Sequence, residues 1–148
     1  SMGAGLPAAI AARLVHPDRP VLAVCGDGGF MMNSQELETA VRLGLDLTIC
    51  VLRDDAYGMI RWKQQDMGLA DFGMRFGNPD FVLYAQAYGV RGHRPGSSAE
   101  LADCLAAALA RPGIDLIEVA IDYGDDARIF AEEIPALSAA LALPDDTP

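Results

Sequence analysis

The sequence predicts an α/β domain of three layers, a mainly parallel sheet with helices on both faces. A continuous apolar run at 21–25 and mainly apolar runs at 47–52 and 116–121 stop at glycine or charged residues, as buried strands do. Patterns of helical period lie between and before them, which favours parallel crossovers. A chain of 148 residues, 51% hydrophobic and 22% charged, suits one compact core.

In chain order, residues 4–15 carry Leu6, Ile10 and Leu14 as one helical stripe, with Pro7 tolerated in the first turn and His16-Pro17 as the stop. The strand at 21–25 follows, buried on both faces, and ends in a turn, Gly26-Asp27-Gly28-Gly29. Asn33 and Glu36 have capping-box spacing for a helix that buries Leu37, Ala40 and Val41 and closes at Gly44. After the strand at 47–52, residues 63–80 lack a period and read as a surface excursion or lid. Residues 81–89 read as helix. Ser97 and Glu100 cap another, with Leu101, Cys104, Leu105, Ala108 and Leu109 inward. The third strand lies at 116–121, residues 127–142 are helical, and 144–148 form a frayed tail beyond a single domain at 1–143.

Composition excludes several classes. Fifteen Gly and nine Pro fall short of the share of about a quarter that marks low complexity. No apolar run approaches the ~18 residues of a spanning helix, so no membrane partner is expected. Eleven basic against 21 acidic residues give a net charge of −10, which repels nucleic acid. Three cysteines, Cys25, Cys50 and Cys104, without Cys-x-x-Cys spacing suggest buried thiols and a cytoplasmic setting.

In open α/β sheets ligands bind at the carboxyl ends of strands, which directs attention to residues 26–33 and 53–59. A glycine turn between strand and helix can offer N–H groups to a phosphate, but Gly26-Asp27-Gly28-Gly29 lacks the G-x-G-x-x-G order of a dinucleotide fingerprint. Asp27 would repel a phosphate unless a divalent cation such as Mg²⁺ lay between them; otherwise it is only a turn former. Asp54 ends the next strand in Arg53-Asp54-Asp55-Ala56-Tyr57-Gly58, and one helix plus one strand separates it from Asp27, so the two acids could share an ion. An acidic solvated turn is the alternative.

Gly26-Asp27-Gly28, the Asp54 loop and Phe30-Met31-Met32-Asn33-x-Gln35-Glu36-Leu37 resemble the cofactor signature of thiamine-diphosphate-dependent enzymes, most closely acetolactate synthase. The likeness continues through Ala56-Tyr57-Gly58-Met59-Ile60-x-Trp62-Lys63-Gln64, Phe76-Gly77-Asn78-x-Asp80 and Tyr84-Ala85-x-x-Tyr88-Gly89 to Ile121-Asp122-Tyr123, with Met2-Gly3-Ala4-Gly5-Leu6-Pro7 upstream. The resemblance implies a thiamine-diphosphate-binding fold in which Asp27, Asp54 and the Ala56 carbonyl hold Mg²⁺. It implies that Gly28 and Gly29 offer N–H groups to the diphosphate, helped by a helix opening near Asn33, while Tyr57 and Gly58 line the pocket. Met2 falls at the apolar wedge that bends the cofactor, and Met59 and Trp62 fall in the stretch that closes over its reacting end as candidate substrate contacts. His16 and His93 have no catalytic role and read as solvated. The family usually carries Asn in place of Arg53, so this guanidinium either approaches the site or points away.

The resemblance further implies an activating glutamate on a separate pyrimidine-binding domain or subunit, a 2-oxo acid substrate such as pyruvate, and a parent enzyme that is a homodimer or tetramer. A chain of this length has room for the diphosphate-binding domain alone, so it is expected to be a C-terminal piece or a split subunit, inactive by itself. Other thiamine-diphosphate enzymes share the metal loops: 2-oxo-acid decarboxylases, benzaldehyde-lyase-like carboligases and sulfoacetaldehyde acetyltransferases. A receiver-type signalling domain also gathers aspartates around Mg²⁺, but its acidic pair would follow the first strand rather than the second.

Overall fold

Four strands pair in parallel in the order β1–β2–β4–β3, where β1 is Leu22–Gly26, β2 Leu47–Arg53, β3 Arg91–His93 and β4 Ile114–Ala120. The computed structural model describes residues 2–124 and 128–141. Helix α1 (Gly5–Val15) precedes β1, α2 (Asp27–Met31) and α3 (Glu36–Arg42) join β1 to β2, and α4 (Gly58–Asp66) and α5 (Phe81–Ala87) join β2 to β3. Helix α6 (Ser98–Leu109) joins β3 to β4, and a π-helical turn at Ile129–Glu133 runs into α7 (Ile134–Leu141).

The order of strands decides the layers. From β1 to β2 to β3 the chain advances across the sheet, and from β3 to β4 it steps back, so right-handed crossovers put α3 and α5 on one face and α6 on the other. On the first face Leu6, Ile10, Phe30, Leu37, Phe81 and Ala85 close over Ala23, Ile49, Val51 and Leu116. Helix α6 packs against β2 and β4 from the other side. The three-layer α/β expectation is met.

Several expectations about single elements need correction. Strand β1 is not buried on both faces: Ala23 and Cys25 are covered, but Leu22 and Val24 are 41% and 57% exposed, because β1 is an edge strand beyond the reach of α6. Leu14 is exposed while Ala9 is buried beside Leu6 and Ile10, since a four-residue spacing drifts about 40° per step on an α-helix. The capping box at Asn33 does not form. Its backbone is already turning, with Glu36 N–H on the Asn33 carbonyl (3.1 Å), and α3 starts behind Gln35 at helical φ −60°, ψ −22°, where an extended N-cap cannot sit. Val41 and Leu109 stand at the margins of their helix stripes and are exposed. The cap at Ser97 does form: its hydroxyl accepts the Glu100 N–H (3.2 Å), and the Glu100 carboxylate reaches one residue further back to the Gly96 N–H (2.7 Å).

Strand β3 has no apolar run to announce it. His93, read as solvated, lies in this strand with Nε2 2.7 Å from Asp115 Oδ1. The excursion at 63–80 divides: 63–66 complete α4, and 74–76 return as a short antiparallel bridge to the second loop, with Tyr57 N–H on the Met74 carbonyl (2.8 Å) and Phe76 N–H on that of Asp55 (3.1 Å). The helical expectation at 127–142 holds for 128–141. The tail at 144–148 lies outside the described residues. Among the described residues no helix is long and apolar enough to cross a membrane, and Cys25, Cys50 and Cys104 are free thiols.

Asp115 is fully buried at the start of β4, where an apolar side chain would be ordinary. Burial alone would push its carboxyl up, but bonds from Arg91, Arg111 and His93 outweigh that and hold it well below the usual carboxylate range. Its stabilising contribution is therefore complete above about pH 4 and declines as the pH falls through and below that value. Asp115→Asn should cost about 2 kcal/mol at neutral pH, because hydrogen bonds to a charged partner are lost. Urea melts of both proteins should show that difference shrinking towards pH 3; an undiminished gap would refute the assignment.

Candidate functional site

Strand β1 passes into α2 without a loop. Gly26 is extended (φ −66°, ψ 155°) and acts as N-cap, so Asp27 is the first helical residue and only 2% exposed. The helix opens at the glycine turn itself and not near Asn33, which corrects the expected source of its positive end. A buried carboxylate needs donors, and Asp27 has four. Oδ2 accepts the N–H groups of Asp54 (3.1 Å) and Asp55 (2.8 Å) and the side-chain amide of Asn78 (2.7 Å), while Oδ1 accepts the N–H of Gly28 (2.7 Å).

The second loop is shaped around its own carboxylate. Asp54 Oδ1 accepts the Ala56 N–H (3.0 Å), and Oδ2 accepts the Tyr123 hydroxyl from the chain leaving β4. A Cβ on Gly58 would strike both that carboxylate oxygen and the Tyr123 hydroxyl, so glycine is needed there. Asp55 takes a left-handed φ of 55°, which aspartate tolerates better than most residues. Arg53 points away from the cavity: Nε binds Asp55 Oδ1 and Nη1 binds Glu118 Oε1, each at 2.9 Å. Those contacts, first the Arg53 bond and then the Asn78 bond, hold the Asp55 carboxyl below its ordinary value.

A cavity of about 820 Å³ opens at the carboxyl ends of β1, β2 and β4. Met2, Asp27, Gly28, Gly29, Asp54, Ala56, Tyr57, Gly58 and Met59 all line it, which brings together nine of the residues read from the sequence. Trp62 is not among the lining residues; it is half-buried on α4 with Lys63 Nζ 5.0 Å from its ring centroid. Gly28 serves packing, because a Cβ there would press on the Tyr57 ring (2.7 Å) and on Phe76 (3.1 Å). At Gly26 a Cβ would instead stand in open space, and at Gly29 it would meet only the Gly3 backbone nitrogen at 3.9 Å, so the backbone there is approachable from the cavity. Asn33 donates to the Gly3 carbonyl (2.8 Å), which hangs the Met2 turn beside α2. Sequence reasoning assigned no role to Asn78 or Tyr123, although both lay in quoted stretches, and it did not single out Ile60 or Ile121, which also line the cavity.

Two carboxylates and one carbonyl are an all-oxygen set suited to a hard, octahedral cation that takes its remaining ligands from phosphate and water. The arrangement fits such an ion. Asp27 Oδ1 accepts one N–H bond, and the Ala56 carbonyl is left out of the bridge formed by Asp55 and Tyr57. Among the described residues no three His, Cys, Asp or Glu side chains form a ligand cluster.

Comparison with known proteins identifies the family. Residues 1–119 match the family model for the C-terminal TPP-binding domain of thiamine pyrophosphate enzymes. The chain is 38% identical over 135 residues to an acetolactate synthase of Bacillus subtilis, covering 91% of this chain and 24% of that protein. It is likewise 38% identical over 132 residues to a catabolic acetolactate synthase of Raoultella terrigena, covering 89% and 24%. Among solved structures it resembles a thiamine diphosphate-dependent 4-hydroxybenzoylformate decarboxylase of Rhodococcus jostii, with TM-score 0.76 and 32% identity over 82% of this chain and 23% of that one. The chain thus spans about a quarter of the length of these relatives. On this evidence the chain belongs to the C-terminal thiamine-pyrophosphate-binding domains of the thiamine-pyrophosphate-dependent enzymes.

Proposed function

We propose that this domain holds the diphosphate end of thiamine diphosphate through Mg²⁺, as part of an acetolactate-synthase-type carboligase. That enzyme would decarboxylate pyruvate and add the two-carbon unit to a second 2-oxo acid. The observation that carries the reading is the buried Asp27 carboxylate beside the Asp54 loop, at the floor of a cavity whose glycine backbone is open. On a chain of net charge −10 an anionic cofactor needs a cation and N–H groups to dock.

Each residue then has a physical task. The Asp27 and Asp54 side chains neutralise the ion's double charge, and the Ala56 carbonyl adds a third oxygen. Gly29 presents a first-turn N–H that has no partner within α2 and would be offered to the diphosphate, beside the Gly28 N–H, which already serves Asp27. Tyr57 packs against Phe76 as a tilted ring pair, 4.8 Å between centroids, which steadies the loop that carries Ala56 and Gly58. Met2 supports the bend of the cofactor, and Met59 and Trp62 approach the substrate. The cofactor, when bound, supplies the electron sink for decarboxylation and carbon–carbon bond formation.

The proposal includes a pyrimidine-binding domain or subunit with the activating glutamate, a homodimeric or tetrameric parent and a cytoplasmic setting. A simple 2-oxo-acid decarboxylase is the second reading, favoured by the likeness to the 4-hydroxybenzoylformate decarboxylase. Product analysis separates the two. With pyruvate, Mg²⁺ and thiamine diphosphate, the full-length enzyme should form acetolactate, whereas release of acetaldehyde alone would favour the second reading; this chain by itself should form neither.

Asp27→Ala and Asp54→Ala should each weaken cofactor uptake, followed by calorimetry, by more than the roughly 10–100-fold that outer-sphere changes cost at metal sites. Undiminished uptake in the double variant would refute the metal assignment. Gly58→Ala should weaken uptake as well, because its methyl group displaces the Asp54 carboxylate.

A further inference from the structure

We infer that Asn78 is a positioning residue of the cation site, its amide holding the Asp27 carboxylate in the orientation that keeps Oδ1 for the metal. This rests on the reading of Asp27 as a ligand. Asn78 Nδ2 lies 2.7 Å from Asp27 Oδ2 and 2.7 Å from Asp55 Oδ1, a neutral donor between two like charges. The reverse orientation would face the amide oxygen with two carboxylates, so chemistry fixes which end points inward. Oδ2 of Asp27 then accepts three bonds and Oδ1 one, which leaves the second oxygen as the better metal ligand.

Two further observations support a role beyond packing. Asn78 Oδ1 is buried without a hydrogen-bond partner among the described residues, a cost that an apolar side chain of equal volume would avoid. The segment that carries Asn78 is itself tied to the second loop by the Met74 and Phe76 backbone bonds and by the Phe76–Tyr57 ring contact. Asn78 therefore reaches Asp27 from a strut anchored on the loop that bears Asp54. On the far side Arg53 holds Asp55, so the amide has a fixed second anchor.

The test uses the full-length enzyme with Mn²⁺ as probe, counting free ion by electron paramagnetic resonance in the presence of thiamine diphosphate. Asn78→Leu keeps the branched shape and removes the donors; it should raise the Mn²⁺ dissociation midpoint about 10–100-fold. Asn78→Ser, which retains a short donor, should fall between, and it decides by the same measure if the leucine variant does not fold. Asp80→Ala lies on the same strut and removes the cap of α5, where Oδ1 accepts the Val82 and Leu83 N–H groups (2.9 and 3.0 Å). It should lower the melting temperature while leaving the Mn²⁺ midpoint within about threefold. A midpoint unmoved by the Asn78 changes, or moved equally by Asp80→Ala, would overturn the positioning role. Failure of the unaltered enzyme to bind Mn²⁺ with the cofactor would instead remove Asp27 as a ligand, and the role of Asn78 with it.

Discussion

Almost complete burial of one carboxylate constrains this structure more than any other feature. At 2% exposure the Asp27 carboxylate oxygens must find their partners within the protein, and the donors come from three separate stretches of chain. Two of the donors depend on register. Gly26 pairs with Leu52 in the parallel ladder, and Asp54 and Asp55 turn their N–H groups back on Asp27 just beyond that rung. A slip of one residue would reverse the faces of β2 and pull those N–H groups off the carboxylate, so the core pattern Leu47, Ile49, Val51 also secures the site.

Close backbone approach is the second device. Gly5 lets α1 sit against Cys25 at the end of β1, Gly28 admits the Tyr57 ring, and Gly58 admits the Asp54 carboxylate with the Tyr123 hydroxyl. Each glycine brings a different element to the same sheet edge. Because Asn33 binds the Gly3 carbonyl rather than capping a helix, the turn before α1 is drawn to the cavity wall, where Met2 stands.

Local signals made much of this legible. The strands at 47–52 and 116–121 were readable because both are central and mainly apolar, interrupted only by Thr48 and Glu118, while β3, three residues long and carrying Arg91 and His93, is stabilised by a partner that only the fold supplies, Asp115. The edge position of β1 could not be read, since an apolar run looks alike whether one face or two are covered. Asn33 shows the limit of a spacing rule: Glu36 stands at the capping distance, yet the backbone had already turned. At the site, the glycine turn and Asp54 were visible as sequence, whereas the roles of Asn78 and Tyr123 arise from contacts of long range that no local pattern encodes.

Arg53 shows how the fold keeps such a site receptive to a cation. A guanidinium beside Asp54, the proposed ligand, could have neutralised the loop and competed with a metal. Instead it is engaged by Asp55 and Glu118, and Glu118, itself buried, is shared with Arg94, which also binds Asp80 at 2.9 Å. Charges alternate along this chain from the Asp54 loop to the cap of α5, and each cation is engaged by carboxylates that do not line the cavity. The carboxylates left facing the cavity, Asp27 and Asp54, are held by N–H and O–H donors that orient them without cancelling their charge. On the proposed reading a divalent ion is the neutraliser, and a diphosphate would follow it onto a chain whose overall charge would otherwise turn it away.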